Sequence, residues 1–110
     1  MILAALEAMK TRPEAARSSL DHSGWLEDDA DLEALYAEWR RRFAAAIAPV
    51  RAAFGPPTHD GAGDREWLDP ICPDAIEAVG WQRPDGLYYA ALEHADREAP
   101  IGIIAGKWVE

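Results

Sequence analysis

Leu32, Leu35, Tyr36, Trp39, Phe43, Ile47, Val50 and Phe54 recur at steps of three and four residues, and nothing else in the 110-residue chain constrains its fold as strongly. That spacing puts all of them on one stripe of a helix, so residues 28 to 54 are expected to form a single long amphipathic helix. Asp28 or Asp29 can cap it, and Asp31 and Glu33 place negative charge in the first turn, where the helix dipole favours it. Glu38 stands four residues before Arg42, a modest stabilising pair on the solvent side. Pro49 removes a backbone donor, so a kink or restart is expected near Ala45. Gly55, Pro56 and Pro57 then end the helix.

From residue 75 the apolar period changes to two. Arg83-Pro84-Asp85-Gly86 is a hairpin signal, with Pro84 presetting a type I turn and Gly86 taking the left-handed position of a following bulge. A three-residue loop there pairs Arg83 with Leu87, Trp81 with Tyr89 and Val79 with Ala91. A second turn from Ala95 to Pro100 leads to a third strand, pairing His94 with Ile101 and Leu87 with Trp108. In this register one face carries Ile76, Ala78, Ala90, Leu92, Ile101, Ile103 and Ala105. The other carries Val79, Trp81, Leu87, Tyr89, Ala91, Ile104 and Trp108, with Gly102 and Gly106 leaving room for aromatic rings. Both faces are apolar, which a half-solvated antiparallel sheet would not show, so both need cover. The long helix can cover one. The second falls to the N-terminal helices, to the loop bearing Trp67, or to another molecule.

The remaining segments are less periodic. Ile2, Leu3, Leu6 and Met9 follow helical spacing, and Pro13 with Glu14 suits the first turn of a second short helix ending near Leu20. Asp21 to Gly24 reads as a turn before Trp25 and Leu26. Residues 58 to 74, rich in Gly and Pro, read as a long loop with a short ordered piece around Trp67 and Leu68. The expectation is an α+β single domain spanning 1–110: a helical half (1–54), a connecting loop (55–74) and a three-stranded antiparallel β-meander (75–109).

Acidic residues outnumber basic ones by twenty to eleven, a net charge of −9, which repels nucleic-acid phosphate and attracts cationic surfaces. Nucleic acid is therefore not an expected partner. The hydrophobic fraction of 49% against 28% charged is that of a folded globular chain. Cys72 is the only cysteine, so no internal disulfide and no four-cysteine zinc site can form, and a reducing, cytoplasmic setting is expected. Residues 1 to 9 lack a basic n-region and the length of a span, so no signal peptide or membrane segment is read there.

Few residue patterns point to chemistry. Asp21, His22 and Ser23 are the residue types of a triad, but neighbours on a turn point in different directions. Gly102 to Lys107 is one residue short of a phosphate loop, is followed by Trp108 rather than Ser or Thr, and lies in a strand. His59, Asp60, Asp64, Glu66 and Asp69 crowd one loop without calcium-loop or zinc spacing. Glu77 and Glu93 are expected to face each other across the sheet, near enough to share a proton or to be bridged by Arg97. Cys72 has no histidine nearby in sequence to activate it, and His94 at a strand end suits a half-buried structural role. No metal or cofactor is expected.

The interaction signals are stronger. From Asp21 to Glu38 the chain carries seven carboxylates and neither Lys nor Arg. Beyond those needed for capping, Asp28, Asp29 and Asp31 beside Trp25 can form an edge where charge steers a basic partner and an aromatic anchors it. Trp81, Tyr89 and Trp108 on the aromatic sheet face are the second candidate surface, for a partner or for a second copy in a homodimer. In small size, acidity, tryptophan content and a helix set against an antiparallel sheet, the sequence resembles the small immunity proteins of bacterial toxin systems. The resemblance implies a toxin-neutralising role and carries over no residue. The leading expectation is a non-catalytic protein-interaction domain. The alternative is a small enzyme or ligand-binding domain with a helix–sheet pocket that uses Glu77 and Glu93 or His59 and Asp60.

Overall fold

The computed structural model describes residues 1–110 and orders them as α1 (Ile2–Met9), β1 (Ala16–His22), α2 (Leu32–Phe54), β2 (His59–Asp60), α3 (Arg65–Leu68), β3 (Ala75–Arg83), β4 (Gly86–His94) and β5 (Ile101–Trp108). The apolar stripe becomes α2, which buries Trp39, Phe43, Ile47, Val50 and Phe54. Its cap is Asp31, whose carboxylate accepts from the Ala34 N–H at 3.1 Å, rather than Asp28 or Asp29. Asp28 and Ala30 lie before the helix, and Arg97 donates to both of their carbonyls. Gly55, at a φ of 82°, closes the other end in a conformation that suits glycine. The helix runs unbroken through Pro49, with no restart near Ala45. Ala45 and Pro49 are both exposed, so the carbonyl that Pro49 leaves unpaired faces water while Ile47 and Val50 hold the inner side to the sheet.

The sheet is antiparallel with five strands in the order β1-β5-β4-β3-β2, so the expected meander is its centre and gains a strand on each side. The added strand β1 replaces the short helix expected after Pro13. Ala16, Ser18 and Leu20 turn inward, Arg17 and Ser19 turn out, and the strand pairs with β5 from Ala16↔Lys107 to His22↔Gly102. Without β1 the apolar β5 would be an open edge. Its irregularity between Ser19 and Asp21 and its exposed Arg17 leave a poorer template for further strands.

β4 and β5 pair in the expected register, His94 with Ile101 and Leu87 with Trp108. The β3–β4 hairpin does not. Its connection is two residues, Pro84 and Asp85, so Arg83 pairs with Gly86, Trp81 with Tyr88 and Val79 with Ala90. Gly86, at a φ of 147°, also brings its Cα so close to β5 that a Cβ would lie 2.8 Å from the Trp108 carbonyl oxygen. One residue of slip moves side chains of β3 to the opposite face. Val79 and Trp81 therefore join Tyr88, Ala90, Leu92, Ile101, Ile103 and Ala105 beneath α1 and α2, and Ala78 joins Tyr89, Ala91 and Ile104 on the other side. A second irregularity between Ala75 and Glu77 returns Ile76 to the face of Ala90 and Leu92, with which it was expected to lie.

The second face is covered by the chain itself. Leu68, Cys72, Trp67 and Ile71, from α3 and the loop after it, pack on Ala75, Ala78, Tyr89, Ala91 and Ile104. Arg65 ties this loop down, donating to the carbonyls of Ala62, Pro73 and Ala75 and pairing with Asp69 at 2.9 Å. Gly106 admits the Tyr89 ring, with which a Cβ at that position would collide. No helix is long and apolar enough to cross a membrane.

Candidate functional site

The loop leading from β1 to α2 and the β4–β5 turn meet at one end of the molecule. Leu26 N–H donates to the Glu98 carbonyl at 2.8 Å, and Arg97 returns two bonds to the Asp28 and Ala30 carbonyls. This brings Asp96 and Glu98 alongside Glu27, Asp28, Asp29, Asp31 and Glu33. Asp31 and Asp96 are occupied as caps of local backbone N–H groups. Glu27, Asp28, Asp29, Glu33 and Glu98 are exposed and hold no ion pair, and the one cation, Arg97, is turned onto backbone carbonyls. Trp25, next to Leu26 in the same loop, is 79% exposed, the most exposed large apolar side chain in the protein.

The other expected aromatic residues lie elsewhere. Trp81 is fully buried beneath α2, with its indole N–H donating to the Gly55 carbonyl at 2.9 Å. Tyr89 is 3% exposed under the α3 loop. Only Trp108, at the far end of β5 and 37% exposed, presents its ring to solvent. The trio is thus split by the hairpin register, and Trp81 stands in the core.

Glu77 and Glu93 do not face each other. The irregularity in β3 pairs Ala75 with Glu93 and Glu77 with Leu92, which sends the carboxylates to opposite faces. Glu77 takes Arg40 of α2 at 2.9 Å, while Glu93 takes Arg17 of β1 at 2.6 Å and accepts from the Cys72 thiol at 3.3 Å. Burial, reinforced by the neighbouring carboxylate, pushes the Cys72 thiol up to about 12. The neutral thiol is the native form, so this contribution to stability is full below the ordinary thiol range and is lost as pH rises toward 12. Iodoacetamide at pH 8 is accordingly expected to leave Cys72 unmodified in the folded protein and to alkylate it in urea. Rapid labelling without denaturant would contradict this burial.

A groove of about 320 Å³ runs between α2 and the β3 edge, floored by Phe43, Ile47 and Val79. Glu77 and Asp60 stand at its walls, each already paired, Glu77 with Arg40 and Asp60 with both terminal guanidinium nitrogens of Arg51 at 2.9 and 3.0 Å. The Arg51 hydrogen bonds hold the Asp60 carboxyl below its ordinary range. His59 points away to stack on Trp67, with ring centroids 4.6 Å apart. Asp64 caps α3, and Asp69 pairs with Arg65. No three His, Cys, Asp or Glu side chains come together as a metal site. Asp21, His22 and Ser23 are engaged separately: Asp21 accepts from the His22 N–H and lies 3.8 Å from Arg42, His22 accepts from the Gly24 N–H, and Ser23 from the Ile101 N–H. His94 is buried, with Tyr36 on one ring nitrogen and the Ala99 carbonyl on the other. The Ala99 carbonyl can only accept, so Nε2 donates to it, and in the neutral ring Nδ1 accepts from the Tyr36 hydroxyl.

No protein-family model, curated protein or solved structure matches the chain.

Proposed function

We propose that this domain is a non-catalytic interaction module whose acidic end docks a basic partner protein. The observation that supports this is the solvent exposure of Trp25 amid five unpaired carboxylates, Glu27, Asp28, Asp29, Glu33 and Glu98. Keeping an indole in water is unfavourable, and a large exposed aromatic on an acidic loop has the composition of an interface anchor. The carboxylates steer a cationic surface inward, and the indole supplies contact area once water is expelled. Neutralising a basic toxin is one concrete form of this function, in line with the general resemblance to immunity proteins. The helix–sheet groove walled by Glu77 and Asp60 supports the ligand-binding alternative less well, since both carboxylates already hold arginines.

The test is binding to a basic probe, a blocked lysine-rich peptide, measured by titration calorimetry. Trp25→Ala is expected to weaken binding by roughly thirtyfold or more, in line with loss of a central aromatic anchor. Asp28→Asn with Asp29→Asn should lower the association rate and its salt dependence while leaving the melting temperature in place. Unchanged affinity in both variants would remove the docking role of this end.

A further inference from the structure

We propose that the groove between the α3 loop and the β3–β4 hairpin is a second recognition site, one that takes an extended peptide segment carrying an apolar residue beside a basic one. The groove is half-open, about 680 Å³ in volume, and is floored by Leu87 and by the indoles of Trp67 and Trp108. Glu66, Asp85 and Glu110 stand around it, and neither Lys nor Arg lines it. Asp85 is already engaged by the Tyr88 hydroxyl and the Lys107 ammonium. Glu66 and Glu110 are exposed and have no basic partner in the fold.

Two of these properties select the occupant. All the unpaired charge of the groove is negative, and an indole face attracts a cation, so a Lys or Arg side chain is favoured twice at the same rim. The floor is apolar, so the basic residue needs an apolar neighbour to fill it. A second copy of this chain, at a net charge of −9, would bring like charge to the rim. The open shape suits a segment laid along it better than a small molecule, which is normally engulfed. Trp67 is pre-set for this role. Its ring stacks on His59 at an interplanar angle of 7° and lies so close to β3 that a Cβ on Gly80 would be 3.1 Å from it. Little ordering is left for the ligand to impose.

The site is separate from the acidic end. Ser23 N–H meets the Ile101 carbonyl at the start of β5, and Trp108 ends that strand, so the two surfaces lie ~23 Å apart along it. Both can be filled at once, and either proposal can fail without the other.

The probe is a blocked hexapeptide alternating arginine and leucine, titrated into the nitrogen-15-labelled protein while the indole N–H signals are followed by NMR. The Trp67 and Trp108 signals are expected to shift with saturation. Trp108→Ala should weaken binding at least tenfold and Glu66→Gln about threefold, with Trp25→Ala matching the wild type. Glu66 is exposed and holds no side-chain partner, so its variant keeps the test open if Trp108→Ala perturbs β5. The glutamate-for-arginine and serine-for-leucine peptides should each fail to saturate. Shifts confined to Trp25, equal binding of the glutamate peptide, or wild-type affinity in both groove variants would overturn the proposal. So would concentration-dependent shifts of Trp108 without peptide, accompanied by a dimer in light scattering, because a second copy would then be the occupant.

Discussion

Trp81→Ala is expected to lower the unfolding free energy by about 4 kcal/mol and the melting temperature by roughly 15 to 30 °C. Trp81 is fully buried and packs edge-on against Phe54, at 5.6 Å between ring centroids, and Phe54 meets Tyr88 in the same way at 5.9 Å. Truncation opens a cavity the size of an indole between α2 and the sheet. It also strips the Gly55 carbonyl of its donor where the helix ends. A Trp81→Phe variant separates these effects, since it refills most of the volume but leaves the carbonyl unpaired, and should cost about 2 kcal/mol. Urea unfolding followed by circular dichroism measures both. Trp25→Ala is the control and should stay within about 0.5 kcal/mol of the wild type, because its side chain is in water. A loss below about 1 kcal/mol for Trp81→Ala would contradict its burial beneath α2.

That contrast marks where local pattern stops specifying this fold. The helix stripe from Leu32 to Phe54 and the alternation after residue 75 are long signals carried by large side chains, and they were legible. So was the β4–β5 register. β1 was not, because its inward positions are Ala16, Ser18 and Leu20, so its alternation rests mostly on small side chains, while Pro13 and the alanines beyond it favour a helix. Tertiary pairing with β5 overrides that preference. The hairpin failed by one residue because Pro-Asp-Gly suits both a two-residue and a three-residue connection, and only packing against β5 at Gly86 decides between them.

The acidic end was legible as composition but not as geometry. Asp28, Asp29 and Trp25 are neighbours in sequence, whereas Glu98 arrives from the β4–β5 turn through a backbone bond to Leu26, which no pattern announces. The cover on the second face was legible only as a choice among occupants. Leu68 and Cys72 settle it, held in place by Arg65, whose three carbonyl partners span residues 62 to 75. Arginine in a Gly- and Pro-rich loop carries no mark of such a role. The groove likewise depends on Trp67 and Trp108, forty-one positions apart, lining one surface with Leu87.

Lys107→Ala is expected to be as costly as Trp81→Ala, about 4 kcal/mol, although the position looks like an ordinary strand residue. The Lys107 side chain is 1% exposed. Its ammonium donates to the Arg12 carbonyl and, at 3.5 Å, to the Met9 carbonyl, so it stands at the negative end of α1, whose last turn carries no basic residue of its own. It also lies 3.2 Å from Asp85, which accepts from the Tyr88 hydroxyl at 2.6 Å. One side chain thus joins α1, β5 and the hairpin. Lys107→Met keeps the stem packed and removes only the charge, so it should cost about 2 kcal/mol. Asp85 is exposed, and its replacement by Asn should cost less than either. The Tyr88 hydroxyl and then Lys107 hold the Asp85 carboxyl below its ordinary range, and a carboxyl lowered in the native state stabilises it above the unfolded value. The gap between wild type and Asp85→Asn should therefore close as pH falls below about 4. Equal losses for Lys107→Met and Lys107→Ala would assign the whole effect to the ammonium. Losses below about 1 kcal/mol in both would mean that α1 is held by its apolar face of Ile2, Leu6 and Met9 alone.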